Sequence, residues 1–515
     1  MLISTVLLFA ILIMGTVSAQ SDYDGLLRPQ VHFSPRTNFI NDPNGMFRDS
    51  DGLWHLYYQY NPTGLTAGNQ HWGHATSKDL YQWENHPVAI APENPGFEAI
   101  FSGCVVVDEN NTSGFFPDQR NGVVAIYTLH TDKEETQDIA YSTDGGYTFT
   151  KYAHNPVLSI GSTQFRDPKV FWHPQTQKWV MPIAYAEELV IGFYTSVDLK
   201  TWQHASNFSH EKLVGTQFEC PNLMQVPVQD SGEILDVLLI SVNPGAPLGG
   251  SITQYLTGHF DGTSFVPIDT QERFTDFAKD NYATQIFYGT PAGKSPISMA
   301  WANNWEYAQE VPTGELEGWR SAMSLPREHS LKDIAGFGYM LLSSPYNIET
   351  VRDTSLARCS LRRNSLSLDY SQVASKALYF EVTIQDIPDT GATGTLNFDF
   401  KSTSSGETLK GEISVADNDR HFFIDRGGVR GFSSPSFTPR FTTPVPYFEG
   451  NRFHFSVAID RSILEVFLNY GEQSATVVFY PLESLDQLTV SARDLNEHVT
   501  ADIEVWGLQS TWSVD

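Results

Sequence analysis

Residues 163–185, TQFRDPKVFWHPQTQKWVMPIAY, align over residues 216–241, TQFECPNLMQVPVQDSGEILDVLLIS, and that alignment decides the fold. Each stretch carries a carboxylate, reaches a proline within two residues, and continues through an apolar run, a polar turn and a second run, the pattern of paired strands. Residues 38–60, NFINDPNGMFRDSDGLWHLYYQY, have the same form, and weaker copies follow Phe101 (FSGCVVVDENN) and Tyr282 (YATQIFYGTP). With Asp42, Gly103, Asp167, Glu219 and Thr284 taken as equivalent, the units recur at intervals of 61, 64, 52 and 65 residues. A second echo closes four of the units with an acidic turn before an aromatic residue: Ser77 to Trp83, Ser142 to Phe149, Ser196 to Trp202, and Phe260 to Phe265. Five all-β units of about four strands, none able to bury a core alone, predict a five-bladed β-propeller over residues 24–340.

Beyond residue 340 the repeat stops. Residues 341–350 read as a linker, and residues 351–515 carry new alternating runs beginning at Ala377, His421, Phe453 and Ser462, which predict a β-sandwich. The chain is therefore expected to be all-β, a propeller followed by a sandwich. Strands at the sandwich edges offer a surface on which a homo-oligomer is possible.

Composition narrows the function classes. Lys and Arg number 32 against 60 Asp and Glu, a formal charge of −28, so no basic excess exists to neutralise phosphates and nucleic acid is excluded as a partner. Val6 to Met14 form an uninterrupted apolar run, followed by the small residues of Val17-Ser18-Ala19, and residues 1–19 read as a secretory signal peptide; the segment before the run has no Lys or Arg, which leaves an uncleaved anchor as the alternative. No later stretch is apolar enough to span a membrane, so the expected destination is secreted: extracellular, cell wall or periplasmic. Asn110, Asn111 and Asn207 each head an N-glycosylation tripeptide, in keeping with that route. Three cysteines, Cys104, Cys220 and Cys359, allow at most one disulfide, so stability must come from the core.

Innermost strands of all blades surround one axial funnel, so equivalent residues of different units converge there. Asp42, Asp167 and Glu219 hold that place in the first, third and fourth units. Carboxylates meeting at one concave site are what glycoside hydrolysis requires: one ionised to attack or stabilise the anomeric carbon, one protonated to assist the leaving oxygen. Like charges crowded together raise the pKa of at least one of them. Spacing does not say which one keeps its proton. His71-Trp72-Gly73-His74 lacks a third ligand nearby and reads as structural, not as a metal site. There is no Gly-rich phosphate loop and no Gly-X-Ser-X-Gly elbow, and no cofactor is indicated.

These motifs carry a resemblance. Asn41-Asp-Pro-Asn-Gly45, Tyr58-Gln-Tyr-Asn-Pro62, Trp72-Gly-His-Ala-Thr-Ser77, Phe101-Ser-Gly103, Phe165-Arg-Asp-Pro168 and Glu219-Cys-Pro221 resemble, in order, the β-fructofuranosidases of glycoside hydrolase family 32, the invertases and exo-inulinases. Asn243 to Gly250 is most similar to the yeast-type enzymes. The resemblance implies Asp42 as nucleophile, Glu219 as acid and then base, and Asp167 as stabiliser of the transition state, held by Arg166. It also implies Asn41, Gln59, Phe101, Ser102, Arg166 and Trp305 as residues lining the fructose pocket, with sucrose or short fructans as substrate and retention of configuration. Some transfer of fructose to other sugars is expected beside hydrolysis. The alternatives are a fructosyltransferase and a fructan-binding protein without turnover. Two positions depart from the family pattern: Phe39-Ile40 stands where Trp-Met is usual, and Ala67 where a tryptophan commonly walls the fructose site. Loss of that ring removes stacking worth about 1 kcal/mol.

Overall fold

A computed structural model describes residues 23–291 and 293–512; the expected signal peptide lies outside them. Each of the five repeats folds as a four-stranded antiparallel blade, built outward from the axis. The first blade runs Asn38–Arg48, Trp54–Asn61, His71–Ser77 and Trp83–Ile90, and the second Glu98–Val107, Val123–Thr131, Glu135–Ser142 and Thr150–Lys151. In the third the inner strand is split into Phe165–Arg166 and Phe171–His173, followed by Lys178–Tyr185, Val190–Ser196 and Gln203–Phe208. The fourth comprises Phe218–Pro227, Ile234–Val242, Ile252–Phe260 and Phe265–Pro267. The fifth comprises Tyr282–Ile286, Ile297–Ala302, Arg327–Ile334 and Gly338–Pro345. Because its last strand continues through residue 340 to Pro345, the final blade takes up half of the segment read from sequence as a linker.

An insertion between the second and third strands of the fifth blade carries a short helix, Thr313–Glu317, and the strand Trp319–Arg320, which pairs parallel to Asn38–Phe39. That pairing joins the last blade to the first. Between blades, apolar faces meet in separate buried clusters, such as Cys104, Ile126, Phe165, Ile183 and Trp202 between the second and third. Such packing explains why the strands are hydrophobic on both faces instead of alternating.

Every inner strand is interrupted at a matching point, and the first blade's strand a second time between Asn44 and Phe47. Two residues stand opposite one on the next strand: Asn41-Asp42 between the paired Ile40 and Pro43, Phe101-Ser102 between Ile100 and Gly103, Cys220-Pro221 between Glu219 and Asn222, and Ala283-Thr284 between Tyr282 and Gln285. In the third blade Asp167-Pro168 fall between Arg166, paired with Ala184, and Lys169, whose N–H donates to the Pro182 carbonyl. These are β-bulges, which twist a strand and re-aim its side chains. They correct the repeat alignment. Asp42 is the second bulge residue of its blade, Asp167 the first, and Glu219 the residue before the bulge, so the three carboxylates hold neighbouring positions of one motif, not the same one. Gly103 follows its bulge, where a Cβ would come within 2.1 Å of the Ile126 carbonyl oxygen.

The C-terminal domain is a sandwich of two six-stranded antiparallel sheets. Phe380, Phe398, Phe400, Phe422 and Phe455 interlock between the sheets, each at most 1% exposed. Buried charge ties this domain to the rest. His32, ahead of the first blade, lies 2.9 Å from Asp460 and 3.2 Å from Glu465, and Arg327 of the fifth blade reaches Glu465 at 2.6 Å. Arg426 of the sandwich pairs with Asp280 at 2.7 Å. All three cysteines are free, and among the described residues no helix is long and apolar enough to cross a membrane.

Candidate active site

At the mouth of the propeller the bulges of four blades bring their side chains together. Asp42 is buried at 8% exposure yet surrounded by donors: the Ser102 hydroxyl at 2.7 Å, the Asn41 amide at 3.2 Å and the Cys220 thiol at 3.4 Å. Asp167 accepts from the Cys220 backbone N–H at 3.0 Å and faces the same sulfur at 3.6 Å. One thiol thus touches carboxylates from the first and third blades. Asp167 and Cys220 both have positive φ, 64° and 46°. Aspartate tolerates that region; for cysteine it is a strain of about 1 kcal/mol or more, held in place by the bulge.

Glu219 completes the group. The Arg166 guanidinium donates to its Oε1 from Nε at 3.1 Å and from its terminal nitrogen at 3.0 Å, and the Tyr282 hydroxyl donates to its Oε2. The arginine is anchored in turn by Glu135 at 3.3 Å, Gln164 at 2.7 Å and Gln217 at 3.1 Å. Its partner is therefore Glu219. The expectation that Arg166 holds Asp167 is corrected: backbone direction at the bulge separates the adjacent side chains, and Arg166 acts on Asp167 through charge only.

Electrostatics follow from burial. Desolvation pushes the Asp42 carboxyl above its usual range and the Glu219 charge adds to it, against the opposing donors Ser102 and Asn41. Asp167 is pushed up to about 8 by burial and by Glu219, with Arg166 pulling the other way. Burial and the surrounding carboxylates likewise raise the Cys220 thiol and the Tyr282 phenol. Closely placed carboxylates of unequal environment are the arrangement from which acid and base roles are drawn.

Other residues expected at the pocket take up positions around this group. Gln59, 1% exposed, stands opposite the Asn41-Asp42 bulge, and Asn41 accepts from the Gln70 amide at 2.9 Å. Phe101 stacks on His130 with ring centroids 4.4 Å apart. Trp305 packs against Trp301 and Phe39, with Ala67 in the same apolar wall. Tyr282 and Gln70 are missing from the sequence-based set. Tyr282 was legible in principle, since it occupies in the fifth blade the register position that Glu219 occupies in the fourth. His71 and His74 do not converge: His71 bonds the Asn69 carbonyl at 2.9 Å, and His74 is stacked in the first blade between Tyr57 and His86.

Known proteins resemble this chain along most of its length. Residues 32–345 match the glycosyl hydrolases family 32 N-terminal domain and residues 347–507 the family 32 C-terminal domain. Invertase 2 of Saccharomyces cerevisiae is 40% identical over 499 residues, covering 90% of this chain and 91% of that protein. An extracellular exo-inulinase of Meyerozyma guilliermondii is 40% identical over 515 residues, covering 94% and 96%. The structure of a fructofuranosidase from Schwanniomyces occidentalis complexed with fructose superposes with a TM-score of 0.86 at 35% identity, covering 96% of this chain and all of that one. With both domain models matched end to end and the family's motifs gathered at one mouth, the chain belongs to glycosyl hydrolase family 32 and is a β-fructofuranosidase-type glycosidase.

Proposed function

We propose that the protein is a secreted, retaining hydrolase that releases fructose from the non-reducing β-fructofuranosyl end of sucrose and short fructans. The observation that carries this reading is the meeting of Asp42 and Asp167 at one sulfur, with Glu219 held beside them by Arg166 and Tyr282. Asp42 attacks the anomeric carbon while Glu219 gives its proton to the glycosidic oxygen, and the leaving sugar departs with that proton. Glu219 then takes a proton from water, whose oxygen displaces Asp42 from the same carbon, giving retention by double inversion. Ser102, Asn41 and Cys220 favour the ionised form of Asp42 that attack demands. Burial and the neighbouring Glu219 hold the Asp167 carboxyl above its usual range, and it offers its carboxyl to the fructose hydroxyls. Asn41, Gln59, Phe101, Ser102, Arg166 and Trp305 shape the pocket around that ring. When a sugar hydroxyl replaces water in the second step the product is a longer saccharide, so some transfer accompanies hydrolysis. Secretion is supported by the apolar leader and the Asn110, Asn111 and Asn207 tripeptides.

The test is turnover of sucrose by Asp42→Ala and Glu219→Ala, each expected to fall by about a thousandfold or more with the fold intact. NMR of the first-formed fructose anomer reads the stereochemistry. Activity retained in Asp42→Ala, or an inverted first product, refutes the assignment.

A further inference from the structure

Beneath the carboxylates the axis is closed by a layer of polar side chains. Gln285 donates to the carbonyls of Pro43 and Gly103, Asn222 accepts from the Ile286 N–H, and Lys169 reaches across from the third blade to the Ile286 carbonyl at 2.6 Å. Below that layer, on the side of the propeller away from the proposed catalytic group, opens a cavity of about 240 Å³ lined by Lys169, Trp172, Met224, Phe287, Tyr288 and Asp236, among others. None of the catalytic or pocket residues discussed above lines it.

Its lining includes an unusual charge. Lys169 is only 4% exposed, its recorded hydrogen bond is to a neutral carbonyl, and among the described residues no carboxylate pairs with it. A buried ammonium without a counter-charge is costly, and burial lowers its pKa to about 8. Asp236, in the same lining, is occupied by the Phe260 N–H at 2.7 Å and is not among the charges that act on Lys169. The remaining lining is mostly aromatic and aliphatic, with Lys294 and His173 among its polar members; this is the composition of small-molecule sites, and the volume lies below that usual for drug-sized ligands.

We propose that this cavity is a second ligand site, distinct from the fructose pocket, for a small aromatic carboxylate whose anionic end pairs with Lys169 and whose ring packs between Trp172, Met224 and Phe287. The ammonium keeps donors beyond the one given to Ile286, and charge-assisted hydrogen bonds are among the strong ones. The apolar body of the ligand fills the walls that water wets poorly.

Benzoate is the probe, with neutral benzamide as its isostere, and binding to the whole protein is read by isothermal titration calorimetry. Benzoate is expected to bind at least about tenfold tighter than benzamide and to leave the KM for sucrose unchanged. Lys169→Met is expected to erase that preference. Met224→Trp, which fills the cavity without touching the ammonium, is expected to abolish binding and leave activity unaltered. In the unmodified protein benzoate affinity is expected to fall as pH rises through about 8. Among the other groups around the cavity, the His173 imidazole is held below its usual value, burial holds the Asp236 carboxyl above its usual range, and the Cys104 thiol beside the lysine is pushed up to about 11; Lys169→Met leaves the second lysine of the lining, Lys294, in place and so separates the two cations. Absence of benzoate binding, equal binding of benzamide, or competition with sucrose overturns the proposal.

Discussion

Replacing His32 with glutamine tests the charge network that fastens the two domains. Burial alone would hold the imidazole neutral, yet hydrogen bonds and charge from Asp460 and Glu465 outweigh it and raise its pKa from 6.5 to about 9. A group whose pKa is raised on folding stabilises the fold fully below its unfolded value and loses that contribution as pH climbs through its folded value. The gap between 6.5 and about 9, at about 1.4 kcal/mol per pH unit, makes the protonated imidazole worth about 3 kcal/mol. His32→Gln keeps size and hydrogen-bonding capacity but removes the charge. Urea unfolding followed by tryptophan fluorescence, run on both proteins from about pH 6 to pH 9.5, should show the variant less stable at the acid end. The difference should shrink by about 3 kcal/mol across the window. Asp460 and Glu465, both held below the usual carboxylate range, stay ionised throughout and do not confuse the comparison. A stability difference independent of pH would refute the reasoning, because it would mean that His32 contributes by packing alone.

Other perturbations read the mouth and its scaffold. Ser102→Ala removes a 2.7 Å donor from Asp42, so the pKa of that carboxylate rises and the acid limb of kcat/KM against pH moves upward; an unmoved limb would show that Asp42 does not govern it. Tyr282→Phe frees Oε2 of Glu219, and we expect kcat to fall about tenfold with KM nearly unchanged and the pH profile displaced, as measured by initial rates on sucrose. Gly103→Ala drives a methyl group into the Ile126 carbonyl and should cost about 3 kcal/mol or more in urea unfolding.

Much of the architecture was legible in the chain because each blade repeats one local grammar. Acidic turns such as Ser77-Lys78-Asp79 and Ser196-Val197-Asp198 recur with the same side-chain to backbone bonds: the serine hydroxyl accepts from the aspartate N–H, and the aspartate carboxylate accepts from the N–H three residues on. What slipped was register. A bulge places two residues against one, so residues at three successive positions all present themselves at the axis, and an alignment that assumes strict equivalence merges them. Arg166 was read as the partner of its sequence neighbour Asp167, whereas the contact that forms is with Glu219, 53 residues away. His32 and Asp460 are separated by 428 residues, and no periodicity links a leader segment to a distant sandwich strand. Nothing local in the sequence singles out Lys169, since only the closed propeller brings it across to the Ile286 carbonyl. The boundary at residue 340 fell short for a plainer reason: the last strand, Gly338–Pro345, lacks the acidic-proline signature that marks the inner strands.

The shared interruption of the inner strands has an evolutionary corollary. Because every blade offers adjacent seats around the same opening, a functional group can migrate to a neighbouring seat, or be exchanged with one in another blade, by point substitution, without re-threading the polypeptide. The rim behaves as a rotary switchboard whose sockets repeat from blade to blade and whose plugs can be changed one at a time.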